Sequence, residues 1–108
     1  MKLILAIVTA SDEPDTVHEL TKQSFFVTKL STVGGFLQTK NTTLLIGTDN
    51  DKVDDAIAII KKFAGRRMSV CSAPPMNTST PFTSANLVEA LVGGSTVFVM
   101  DIDRFEKL

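Results

Sequence analysis

A pair of glycines flanked by aromatic and amide side chains is the part of the sequence best suited to hold a small molecule. Glycine permits positive φ angles and close approach to backbone N–H groups, so Gly34–Gly35 could cradle a phosphate. Phe36 and Leu37 offer an apolar wall, the Asn41 amide can both donate to and accept from a base edge, and Gly47 leaves room beside a ring. The set suits a nucleotide. An ordinary hairpin loop with a hydrophobic anchor is the alternative, because neither GxGxxG nor GxxxxGK[ST] is present.

The residues that usually perform catalysis or bind metals are sparse. One cysteine, Cys71, and one histidine, His18, cannot form a zinc site, an intrachain disulfide or a convincing nucleophile pair, and His18 is predicted to be a solvated helical residue. Asp101 and Asp103 could bind Mg²⁺ only with further oxygen ligands, and a solvated chain end is the simpler interpretation. Arg66–Arg67 could meet a phosphate or a partner's carboxylates, or be a solvated pair. We predict no enzyme, no metal and no cofactor.

Length, charge and composition predict one globular domain over residues 1–108. The chain is 44% hydrophobic and 21% charged with a net charge of −1, which argues against disorder and against nucleic-acid binding. The apolar run 3–8 is too short for a signal peptide, and no stretch approaches the ~20 residues of a membrane span. With a single cysteine as well, a cytoplasmic location is expected.

Hydrophobic periodicity and turn residues predict six strands and two helices. Strand one is apolar without interruption, which indicates burial on both faces. Helix two carries the apolar stripe Val53, Ile57, Ile60 and Ala64, and Gly93–Gly94 is predicted to form a hairpin or a bulge. The predicted elements are the strands 3–9, 25–32, 41–48, 67–72, 87–92 and 95–100, a helix ending near residue 23 and a helix capped by 49–51 and stopped by Gly65.

This order predicts an α+β, ferredoxin-like split βαβ (βαββαβ) fold with an antiparallel sheet. Both helices would pack on one face of that sheet. Because the strands carry apolar residues on both sides, we expect the other face to pack against further copies of the chain. The Pro-, Ser- and Thr-rich segment 73–86 is predicted to be a long loop, either a flexible linker or a segment that becomes ordered on binding.

Four segments carry a resemblance to a known family. They are TKL at 28–30, GGFL at 34–37, NTT at 41–43 and VGGSTVFVM at 92–100. With them the sequence resembles the PII-like cyclic di-AMP receptors, which are signal-transduction proteins of Gram-positive bacteria. The resemblance implies a homotrimer, a short loop after strand two and a long loop after helix two. It also implies a cyclic di-AMP site between adjacent subunits, and no catalytic activity.

The resemblance also implies which residues contact the ligand. Thr28 and Asn41 would meet the adenine, Gly35 the phosphate, and Phe36 and Leu37 the apolar wall, and Gly47 also matches a contact position. At two further positions this chain departs from the family.

Ser24 stands where the family usually has asparagine, and Phe26 where it usually has arginine. The sequence therefore leaves two functions open. The first is a receptor whose loops become ordered on binding cyclic di-AMP and signal to an unknown target protein. The second is a PII-like interaction protein that has lost this ligand or binds another nucleotide.

Overall fold

In the part of the chain that the structure describes, six strands and two α-helices follow one another in the predicted order. The computed structural model describes residues 1–31, 41–72 and 87–108. The predicted loops, with Gly35, Phe36, Leu37 and the segment 73–86, lie outside these ranges. The elements are β1 (Lys2–Thr9), α1 (Glu13–Lys22), β2 (Phe26–Ser31), β3 (Asn41–Thr48), a 3₁₀ turn (Asn50–Lys52), α2 (Val53–Ala64), β4 (Arg67–Ser72), β5 (Leu87–Val92) and β6 (Thr96–Asp101).

The main sheet has the strand order β2-β3-β1-β6, with every neighbouring pair antiparallel. Both helices pack on one face, where Ile4, Ala6 and Val8 of β1 are almost fully buried with Leu20 of α1 and Ile60 of α2. The predicted ferredoxin-like α+β fold is confirmed.

The apolar stripe of α2 is rotated slightly from its predicted position. Ile60 and Ala64 are buried and Val53 packs against the core, as predicted. Between them, however, Ala56 is fully buried while Ile57 is only half-buried. The buried positions 56, 60 and 64 are four apart and lie one above another on the helix, and the two alanines let the helix backbone approach the sheet.

The predicted hairpin or bulge at Gly93–Gly94 is wrong. β5 pairs with β4 in a separate two-stranded ribbon, whereas β6 pairs with β1 in the main sheet. The glycines have φ angles of 75° and 108° and turn the chain from the ribbon into the sheet. The Gly94 N–H and the Ser95 hydroxyl both donate to the Ala64 carbonyl, at 3.1 and 2.6 Å, which attaches this turn to the end of α2.

The sheet face opposite the helices is apolar and largely uncovered by the described residues. The register aligns Thr28, Leu45, Leu5 and Phe98 in one row across all four strands. Leu5 and Leu45 are half-buried, and Phe98 is 52% exposed. β1 is central, as predicted, but the described elements bury only one of its faces fully.

The turn after α1 places a serine in the left-handed region. The Ser24 N–H donates to the Thr21 carbonyl at 3.0 Å and the Phe25 N–H to the Leu20 carbonyl at 2.9 Å, which is the hydrogen-bond pattern of a Schellman motif. The motif requires positive φ at the first residue past the cap, and Ser24 has a φ of 69°. Phe25 and Leu20 are both buried in the core, and this hydrophobic pair commonly accompanies the motif.

An ion pair joins the ribbon to the β1–α1 corner. Arg67, the first residue of β4, donates to both carboxylate oxygens of Asp12, at 2.6 and 3.1 Å, and to the Gly65 carbonyl at 3.1 Å. The Thr9 hydroxyl donates to the same carboxylate at 2.9 Å. The hydrogen bond from Arg67 lowers the pKa of Asp12, against the opposing effect of burial. Asp12 stands at the N-cap position of α1, but its carboxylate accepts hydrogen bonds from Arg67 and Thr9 and makes no side-chain capping hydrogen bond to the helix.

This contact also fixes the identity of one glycine. A Cβ atom added at Gly93 would lie 2.6 Å from Arg67 Nη1 and 2.6 Å from the Gly65 carbonyl oxygen. Any side chain there would have to displace the arginine or the backbone, so the ion pair and the glycine turn depend on each other.

We expect Ser24→Gly to stabilise the protein by about 1 kcal/mol, because glycine adopts the left-handed conformation without the cost that a Cβ incurs. Thermal melting at equal protein concentration measures this as a rise of several degrees. Ser24→Ala is the matched control, since it removes the hydroxyl but keeps the Cβ. An equal gain from alanine would contradict the strain argument.

We expect Asp12→Asn to be less stable than the unsubstituted protein at pH 7. Folding lowers the pKa of Asp12 below its ordinary 3.8. The charged carboxylate therefore stabilises the folded protein fully above pH 3.8, and this contribution is lost as the pH falls through the lowered pKa and the carboxylate becomes protonated. Chemical denaturation at pH 7, 5 and 3 should show the difference between the two proteins shrinking towards pH 3. Asp15→Asn, an exposed carboxylate of the same helical turn, should change little, and a difference that is constant with pH would oppose this account.

Candidate functional site

Three of the predicted contact residues lie together at one end of the uncovered sheet face. Phe26, the first residue of β2, lies directly opposite Gly47 of β3. Thr28 lies two residues further along the same face of β2 and is exposed. Phe26 is 81% exposed, so its ring is available to a ligand or to another chain.

The glycine opposite Phe26 is not required by the packing of its own chain. A Cβ atom added at Gly47 would meet no atom within 4 Å. The space beside it belongs to a hollow of about 170 Å³, whose lining also includes Ser24, Phe26 and Lys52. The Lys107 ammonium lies 5.8 Å from the centre of the Phe26 ring. The hollow thus combines an aromatic ring, space at a glycine and charged side chains of both signs, because Asp49 lines it together with Lys52.

Asn41 lies at the opposite end of β3. It is six positions along the strand from Gly47, which corresponds to about 20 Å of extended strand. It is exposed and lines a larger groove of about 570 Å³ together with Thr9, the Gly93–Gly94 turn and the C-terminal half of α2. One chain therefore brings Ser24, Phe26, Thr28 and Gly47 together but not Asn41. Gly35, Phe36 and Leu37 lie outside the described residues.

Two titratable residues that the sequence singled out, Asp101 and His18, do not line either hollow. Asp101 accepts a hydrogen bond from Lys2, and this ion pair lowers its pKa. His18 is exposed on α1, as predicted. Within residues 1–31, 41–72 and 87–108, no three His, Cys, Asp or Glu side chains are grouped so that they could hold a metal ion.

The helices of the described ranges are too short and too polar to cross a bilayer.

Several lining residues were not among the predicted contacts. Lys52 borders the smaller hollow, while Lys61 and Arg66 border the larger groove. The Arg66–Arg67 pair was visible in the sequence, but the sequence does not indicate that only Arg67 is held by an ion pair. Lys52 and Lys61 follow no motif, and only the packing of α2 places them at these hollows.

Comparison with known proteins identifies the family. A family model described as "Cyclic-di-AMP receptor" matches residues 1–108. The chain is also similar to a solved structure described as a functionally unknown protein from Pediococcus pentosaceus ATCC 25745. The TM-score is 0.80 and the sequence identity 36%, over 99% of this chain and 96% of that one. With a whole-length match to the family model and the fold and surface described above, the chain belongs to the cyclic-di-AMP receptor family.

Proposed function

We propose that the protein binds cyclic di-AMP at a site shared by adjacent copies of a homotrimer and signals its occupancy to a target protein. The observation that carries the proposal is the separation of the predicted contact residues. Phe26 and Gly47 line one hollow, with Thr28 two residues from Phe26 on the same face of β2, and Asn41 lines another, about 20 Å away along β3. A second copy that brings its Asn41 end to the Phe26 end of the first would complete one site.

The uncovered sheet face supplies a reason for such copies to associate. Leu5, Leu45 and Phe98 form an apolar band across the sheet, and Met100 and Leu3 extend it along β6 and β1. Phe98 and Met100 are 52% and 40% exposed in the single chain. Burial of apolar surface is worth roughly 25 cal/mol per Å², so contact between these faces would favour association.

The chemistry of the two hollows fits a nucleotide that carries both bases and phosphates. The exposed ring of Phe26 offers a stacking surface, and base–aromatic stacking contributes about 1–3 kcal/mol. The Thr28 hydroxyl and the Asn41 amide offer donors and acceptors, and the absence of a side chain at Gly47 leaves space for close approach. These are recognition groups, and the family is one of receptors, so we propose a binding protein without catalytic activity.

Signalling to a target requires that occupancy changes another surface. The turn at Gly93–Gly94 lines the groove of Asn41 and also connects the β4–β5 ribbon to β6 of the main sheet. A ligand in the groove would contact the turn that orients this ribbon. We propose that the ribbon, and the segment 73–86 between its strands, present the altered surface to the target protein.

The second candidate function is an interaction protein with a different nucleotide or none. It is favoured by Phe26, an apolar ring where the family usually carries an arginine. Calorimetric titration with cyclic di-AMP, cyclic di-GMP, ATP and ADP distinguishes the two. The proposed receptor binds cyclic di-AMP most tightly, and preference for another nucleotide, or binding of none, would favour the second candidate.

We expect the double variant Ser24→Asn, Phe26→Arg to bind cyclic di-AMP at least tenfold more tightly than the unsubstituted protein. A restored hydrogen bond to a charged group contributes about 1.5–3 kcal/mol, which exceeds one decade in affinity. Isothermal titration calorimetry measures the dissociation constants of both proteins and of each single variant. Equal or weaker binding by the double variant would mean that the two positions do not face the ligand as proposed.

We expect the protein to sediment at about three times its chain mass of 11.7 kDa. Phe98→Glu should dissociate this assembly, because it places a charge in the apolar band. Met68→Glu on the ribbon is the matched control, since Met68 is similarly exposed, at 60%, but lies outside the main sheet. Sedimentation velocity at micromolar concentration tests both variants. A monomeric unsubstituted protein would overturn the shared site.

A further inference from the structure

The groove beside Asn41 is positively charged and has no acidic side chain in its described lining. Its volume of about 570 Å³ is within the range of about 300–1,000 Å³ typical of ligand sites. Ile57, Ile60 and Val97 form an apolar wall, and Lys61 and Arg66 are the charged residues of the lining. An apolar wall next to two cations suits an organic anion.

The two consecutive arginines have different roles. Arg67 is held by both oxygens of Asp12 and by the Gly65 carbonyl. Arg66 is exposed and borders the groove, and within the described residues neither it nor Lys61 forms an ion pair. No described carboxylate pairs with the Arg66 guanidinium, whose geometry suits the paired hydrogen bonds that a phosphate accepts.

We infer that Arg66 and Lys61 bind a phosphate of the ligand and that their groove is the second half of the shared site. The inference rests on the proposed function, because Asn41 belongs both to this groove and to the predicted contact set. Cyclic di-AMP carries two negative charges, and Phe26 provides none of the positive charge that an arginine at that position would supply. In the neighbouring copy, Arg66 and Lys61 would supply this positive charge from the groove beside Asn41.

Titration calorimetry with cyclic di-AMP tests this assignment. Arg66→Gln should weaken binding at least tenfold and Lys61→Gln several-fold, as expected for the loss of charge-assisted hydrogen bonds. Arg66→Lys should retain part of the affinity. Lys62→Gln is the matched control, because Lys62 neighbours Lys61 on α2 but lies over the Phe63 ring and does not line the groove. Its affinity should stay within twofold of the unsubstituted protein.

Salt dependence separates a phosphate contact from a structural role. Salt screens the contact between Arg66 and the phosphate, and the Arg66→Gln variant lacks this contact. The dissociation constant of the unsubstituted protein should therefore rise more steeply with NaCl concentration than that of the variant. Melting temperature and sedimentation should be the same for both. Equal affinity and equal salt dependence in the two proteins would overturn this inference and leave the proposed function standing. No binding by the unsubstituted protein would overturn both.

Discussion

The protein depends on a sheet that its two helices can cover on one side only. Ile4, Ala6 and Val8 alternate along β1 with Leu3, Leu5 and Ile7, and only the first three are fully buried. Covering the apolar row on the other side with a second surface lowers the free energy of the protein, because apolar side chains are removed from water. When the second surface belongs to an identical chain, the result is a symmetric assembly. Thr28 and Gly47 lie on the uncovered side, so the surface that would join the copies also carries the predicted ligand contacts.

The shape of the groove beside Asn41 depends on how the β4–β5 ribbon is attached to the main sheet. Arg67 and Asp12 hold the start of β4 against the β1–α1 corner, and Gly93 fits against this ion pair only because it lacks a side chain. The same turn forms one wall of the groove at Asn41. The stability of the ion pair and the shape of the groove are consequently linked. A substitution at Asp12 or Arg67 should therefore be judged first by its effect on folding, whereas Arg66 can be judged by binding.

The sequence predicted the order and type of the elements because their hydrophobic periods are clear, as in β1 and α2. It predicted a hairpin at Gly93–Gly94 because paired glycines between two apolar runs resemble one locally. The pairing of β5 with β4, and of β6 with β1, depends on contacts distant in the chain. It also gave no sign that Ser24 adopts a left-handed conformation, since serine has no particular preference for it. The predicted contacts Thr28 and Gly47 share a face as strand alternation requires, and the predicted strand 41–48 already separates Gly47 from Asn41, but only the packing of α2 and the Gly93–Gly94 turn shows that Asn41 borders a different groove.

At the two positions where the sequence departs from the family, the effect of a substitution on folding is coupled to its effect on the proposed recognition of the ligand. Ser24 is the left-handed residue that ends α1, a position that asparagine tolerates better than most residues do, so an asparagine there would suit the backbone and the ligand together. Phe26 lies opposite Gly47 across the strand pair, but its ring is 81% exposed and leaves the space at this glycine open. Exchanging the ring for an arginine would replace an exposed apolar side chain by a charged one, which changes the solvation of the folded protein as well as the charge offered to the ligand. Any change in affinity at these positions therefore combines a local stability term with a contact term, and only stability and binding measured on the same variants can separate the two.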